Sequence, residues 1–182
     1  MSQSNLQSGF TLIETFVAVL ILVFAVIGPL GLLSRAINDG NYAKNQVTAY
    51  YLAQEATELI INQRDQNLAA SVDWLNDLGN CVGDDCQIGL DLNQQLDIRS
   101  CDIEATISNC LLYIQDDLGQ QPYYTHTNTG RPAIFRRTAT INEDEDSASI
   151  TVKVVWVNKT NPVELELTTI IYNQGIRTVP TP

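Results

Sequence analysis

Four cysteines, at positions 81, 86, 101 and 110, are the residues whose type and spacing most directly suggest chemistry. If the part of the chain that holds them is exported, an even number fits disulfide formation. Three pairings are open, and Cys81–Cys86 with Cys101–Cys110 is favoured because each loop is then short. Zinc is the rival reading. Intervals of four and then eight residues do not match the usual short knuckles at both ends, so no metal is expected. His126 is the single histidine and lies in a Thr/Asn/Gly stretch with neither a nucleophile elbow nor a phosphate-binding glycine loop, so it reads as a solvated loop residue. Glu143, Asp144, Glu145 and Asp146 form an acidic run whose spacing is not that of an EF-hand, so a solvated turn is expected. Asp84, Asp85 and Asp91 read the same way. Arg136 and Arg137, one on each face of a strand, are expected to pair with carboxylates. No catalytic set emerges: the chain is not expected to be an enzyme or to need a cofactor.

A different kind of carboxylate is Glu14. From Thr15 to Leu33 no side chain is charged, a run long enough to cross a hydrocarbon core at about 1.5 Å per residue. An acid at the edge of such a run is costly, roughly 2.5–3.5 kcal/mol if carried to the bilayer centre, which makes it a functional residue in search of a partner. The net charge of −11 argues against a nucleic-acid-binding surface. No Lys or Arg precedes Arg35, so charge distribution gives no orientation in the membrane.

Gly9-Phe10-Thr11-Leu12-Ile13-Glu14, followed at once by the uncharged run, resembles the processing site of type IV prepilins and type II secretion pseudopilins. The resemblance implies a leader at residues 1–9, removed by a prepilin peptidase that cuts between Gly9 and Phe10 and methylates Phe10. It also implies a role for Glu14 in subunit docking. The implied partners are other pilin or pseudopilin subunits, the peptidase, an inner-membrane assembly platform and, before assembly, membrane lipid. The implied location is a single-pass cytoplasmic membrane protein with an extracytoplasmic head, later part of an extracellular pilus or a periplasmic pseudopilus. The function expected is that of a minor pilin-like structural subunit. The alternatives are a pseudopilin of a secretion or DNA-uptake filament, and a pilus-borne adhesin or binding module.

The elements that must carry these residues follow from periodicity. Residues 10–33 form the transmembrane or filament-core helix, with Gly28 and Pro29 a candidate kink because proline removes a backbone donor and crowds the preceding turn. Residues 34–67 read as an amphipathic helix: Ala49, Leu52, Ala56, Leu59 and Ile60 share one face, while Asn45, Thr48, Gln54, Glu55 and Glu58 lie opposite. Asn38-Asp39-Gly40-Asn41 is turn-like and expected to loosen that helix. The stretch Ala49–Ile60 and the final strands resemble the corresponding parts of minor pilins of the PilV type. Residues 68–182 make the globular head. Within it, 68–132 is a loop region, the variable one by the resemblance, in which Trp74 and Leu75 extend or cap the helix. Ile103–Ile107 and Leu111–Ile114 are short strand candidates there, and Gln115–Pro132 reads as a surface loop. Residues 133–173 form an antiparallel three-strand meander, since Ile150, Val152, Val154 and Trp156 alternate cleanly and turn formers separate the strands. The class is α+β, a long N-terminal helix whose apolar face packs on the sheet, and the resemblance implies the pilin fold.

Overall fold

The computed structural model describes residues 9, 11–101, 110–116, 121–158 and 161–173. Helix α1 runs from Leu12 to Ala69. Its start is set locally. The Thr11 hydroxyl accepts the Glu14 N–H at 3.4 Å, and Thr11 followed three residues later by Glu14 is the sequence pattern of a capping box. Helical structure then continues through Gly28, Pro29 and Gly31. It also continues through 38–41, where a loosened turn was expected. There the Asn38 amide donates to the Ser34 carbonyl at 2.8 Å. Asn, Asp and Gly each cost a helix about 1 kcal/mol or less relative to alanine, too little to stop one that is favoured on both sides.

The chain divides into two compact units, Met1–Lys44 and Asn45–Pro182. In the first, the described side chains are exposed, including Phe16, Ile21, Phe24 and Leu32. Here lies the apolar part of the one described helix long and apolar enough to cross a membrane. In the second, Ala49, Leu52, Ala53, Ala56, Thr57 and Ile60 are buried. Three of these are alanines with no exposed surface, which lets the helix lie close on what it covers. That is a core of Trp74, Leu75, Leu78, Ile88, Leu112, Phe135 and the apolar face Ile150, Val152, Val154 and Trp156. The arrangement is α+β, as the periodicities require.

The sheet has seven strands: β1 (Cys86–Leu90), β2 (Leu96–Ser100), β3 (Leu111–Gln115), β4 (Tyr123–Thr125), β5 (Arg131–Glu143), β6 (Ser147–Asn158) and β7 (Asn161–Tyr172). All strand pairs are antiparallel. The expected meander is β5-β6-β7. Phe135 opposite Trp156 and Ile141 opposite Ile150 fix its first register, and Val152 opposite Leu167 the second. Strand β5 also pairs with β3 and touches β1 at Cys86↔Ala139, so it joins two halves of the sheet.

Residues 68–132 depart from the sequence reading. Their described part contains β1 to β4, and the supposed surface loop 115–132 includes β4 and the start of β5. The candidate strand Ile103–Ile107 lies outside the described residues. Trp74 and Leu75 do not extend the helix. They fold back under it, because the Asn67 amide donates to the carbonyls of Trp74 at 3.2 Å and Asn76 at 2.7 Å. Both cysteine pairs join strand starts to what precedes them. Cys81–Cys86 ties a single 3₁₀ turn (Gly79–Cys81) to β1, and Cys101–Cys110 ties the end of β2 to the start of β3. Their Cα separations are 4.9 and 5.7 Å, the usual range for a disulfide.

Candidate functional site

The residues of the processing motif sit at the open end of α1. Gly9 is exposed and outside any regular element, and Phe10 lies outside the described residues. Glu14 is exposed, and its backbone N–H is held by Thr11 through both the side-chain oxygen and the carbonyl, the latter at 3.1 Å. Its carboxylate therefore emerges from the first turn, where the helix dipole favours negative charge. Sequence reasoning named Glu14 for docking and missed the cap. The signal was present in Thr11-x-x-Glu14.

A second constellation lies in the head and is polar but buried. Phe135, Arg137, Ala139 and Ile141 alternate along β5 onto the core face, so strand parity carries a guanidinium inside. Arg137 is fully buried and its two terminal nitrogens are directed, while Nε has no partner among the described residues. Nη1 donates to the Leu52 carbonyl and to Glu55 Oε2, both at 2.9 Å, and Nη2 donates to the Ile88 carbonyl at 2.7 Å. One side chain thus links α1, β1 and β5. Burial lowers the Arg137 pKa from its ordinary value and the Glu55 carboxylate opposes this, so the cation persists. The expected pairing of Arg137 with a carboxylate is realised. Arg136, on the other face, is exposed.

His126 corrects the sequence reading. It is only 8 % exposed, and neither ring nitrogen makes a hydrogen bond of normal geometry among the described residues, although the Leu111 backbone lies close enough to favour the protonated ring slightly. Burial, reinforced by the Arg137 guanidinium, pushes its pKa down to about 3, which keeps the ring neutral. The His126 ring and Arg137 both crowd Gly89, where an added Cβ would meet Arg137 Nη2 and His126 Cδ2 at 3.3 Å each. The neighbouring β4 residue Thr125 is also buried, and its hydroxyl donates to the Leu90 carbonyl at 3.1 Å. A short polar segment enters the core here because β4 pairs with β3.

The acidic groups behave unequally. Glu143–Asp146 are exposed in the β5–β6 turn, as expected. Asp85 is half-buried and accepts the Thr140 hydroxyl. Asp91 organises its own loop, accepting the backbone N–H groups of Asn93 and Gln95 at 2.8 Å each, and these bonds hold its pKa below the usual value. Among the described residues no group of three or more His, Cys, Asp or Glu side chains is placed to hold a metal ion.

Beside the Arg137 centre a cleft of about 790 Å³ opens between α1 and the β1–β2 and β3–β4 regions. Thr48, Tyr51, Leu52 and Glu55, at steps of three and four, line it from the helix. Tyr123, Tyr124, Gln115, Asp91 and Gln94 close the other side. Comparisons with protein-family models, with curated proteins and with solved structures give no match to this chain.

Proposed function

We propose that the chain is a minor pilin-like structural subunit, matured by removal of residues 1–9 and assembled through α1. The observation that carries this reading is the division of labour along one helix. Its first part is apolar, exposed and marked by a lone carboxylate five residues after Gly9, while its later part is buried under an antiparallel sheet. An exposed apolar helix of that length needs lipid or other helices around it.

Cleavage after Gly9 leaves a cationic α-amine at Phe10, four residues before Glu14. In an apolar filament core each charge alone is heavily desolvated, and pairing reduces that cost. Pairing within one helix does this without fixing anything else. Pairing with the amine of an adjacent subunit also sets the axial stagger between helices, which makes Glu14 a registration device.

Intact mass of the native membrane protein tests the maturation, with an N-terminus at methylated Phe10 expected; an N-terminus at Met1 or beyond Arg35 overturns the proposal. Two variants test Glu14. Glu14→Ala is expected to be cleaved and membrane-held yet absent from sheared filaments. Thr11→Val removes the capping hydroxyl, keeps the carboxylate and is expected to assemble. Equal behaviour of the two variants reduces Glu14 to a helix cap.

A further inference from the structure

We propose that the cleft between α1 and the β1–β2 and β3–β4 regions is a binding site for a neutral saccharide. The site is independent of filament assembly. Its volume of about 790 Å³ falls within the range of small-ligand sites. Three tyrosines, Tyr51, Tyr123 and Tyr124, contribute the aromatic surface. Such rings offer flat apolar faces to the C–H faces of a pyranose while their hydroxyls bond its edge. Burial raises the Tyr124 pKa, with Arg131 opposing it, so this phenol remains a neutral donor and acceptor at physiological pH.

The charges decide between a neutral ligand and an ionic one. Among the described residues the lining contains no Lys, Arg or His, which disfavours an anion. It contains two carboxylates, and each already has partners. Glu55 is neutralised through Oε2 by the buried Arg137. Asp91 is engaged by Asn93 and Gln95 of its own loop. Arg131 stands near enough to act on Tyr124. Asp91 stays ionised, but its oxygens are already taken up by its own loop, so the described lining offers a cation no carboxylate without a partner.

What remains is hydrogen-bonding capacity on an aromatic floor. Glu55 is bound to Arg137 through Oε2 while its side chain is 42 % exposed, so it is an oriented acceptor for a ligand hydroxyl. The buried Arg137 holds Glu55 in place from behind. At the rim Gln94 adopts φ 61°, a conformation that a non-glycine residue holds only when its surroundings require it. Its N–H donates to the Asp91 carbonyl at 3.0 Å within that loop, and its side chain joins the lining. Tyrosine faces, a fixed carboxylate and side-chain amides match polyhydroxyl recognition.

The test uses the full chain in phosphatidylcholine nanodiscs, which avoids sugar-headed detergents. An array of neutral, sialylated and sulfated oligosaccharides finds the ligand, and titration calorimetry against the best neutral hit and against spermidine follows. Saturable binding of a neutral saccharide is expected, weakened at least tenfold by Tyr51→Ala and by Tyr123→Ala. Tyr51 is mostly exposed, so its loss leaves the fold intact, which circular dichroism checks. Ile170→Ala, on the exposed face of β7, is expected to bind as the native chain does. No binding on the array, binding confined to acidic glycans or spermidine, or binding that survives both tyrosine variants each overturns the proposal. Failure of cleavage after Gly9 affects none of these readouts.

Discussion

At the scale of single residues, Arg137 and His126 decide how the head tolerates change. Removing one partner of a buried ion pair strands the other groups it satisfied, at a typical cost of about 3–5 kcal/mol. Arg137→Ala strands the carbonyls of Leu52 and Ile88 and also opens a cavity, so a loss in that range is expected. Arg137→Met fills the space and leaves Glu55, which is partly exposed, to water, so it is expected to cost clearly less. Chemical unfolding followed by the fluorescence of the two buried tryptophans, Trp74 and Trp156, measures both. His126 acts through pH. Its folded pKa of about 3 lies below the ordinary 6.5, so between those values the unfolded chain takes up a proton that the folded chain refuses. Stability then falls as pH falls through that window, by at most about 1.4 kcal/mol per pH unit from this group. His126→Leu is expected to flatten the dependence between pH 6 and 4 relative to the native chain, and unfolding midpoints across that range check it.

At the scale of elements, the β3–β5 pairing depends on a residue outside both strands. A Cβ at Gly130 would overlap the carbonyl of Ile114, one residue before the Arg131↔Ile114 pair. Gly130→Ala must therefore push β3 aside, and an overpacking loss of about 1–3 kcal/mol is expected, read by unfolding and by amide exchange along β3. The same comparison shows what the sequence carries. Strands β5, β6 and β7 were legible because each is long, alternates and is bounded by turn formers. Strands β1, β2 and β4 were not. Cys-Gln-Ile-Gly-Leu, Leu-Asp-Ile-Arg-Ser and Tyr-Tyr-Thr are too short or too polar to show a period, and they are strands because neighbouring strands and a nearby cystine hold them. The helix face was read correctly in Ala49, Leu52, Ala56 and Ile60. Glu55 was assigned to the polar side without its buried partner, since nothing local links it to a residue 82 positions away. The cleft was invisible for the same reason. Its tyrosines come from separate segments, and each alone is an ordinary surface residue.

At the scale of the whole molecule, every residue of the buried core lies at or beyond Ala49, so the described apolar run before Leu33 contributes nothing to it. The head completes its own interior, and the exposed helix is left for other surroundings. One boundary of that head is nevertheless open. Strand β7 pairs with β6 alone, and among the described residues its outer side has no strand partner over Asn161–Tyr172. A strand edge of this length without a strand partner is a template on which a foreign strand can dock. Glu164 and Glu166 occupy alternate exposed positions on it, and Lys153 reaches only the second, at 3.8 Å. Two such margins brought together would place like charges on one seam. On the reading proposed above, these acids are sentries: they discourage neighbouring heads from fusing into a continuous sheet, and so leave the helix as the surface by which the chain polymerises.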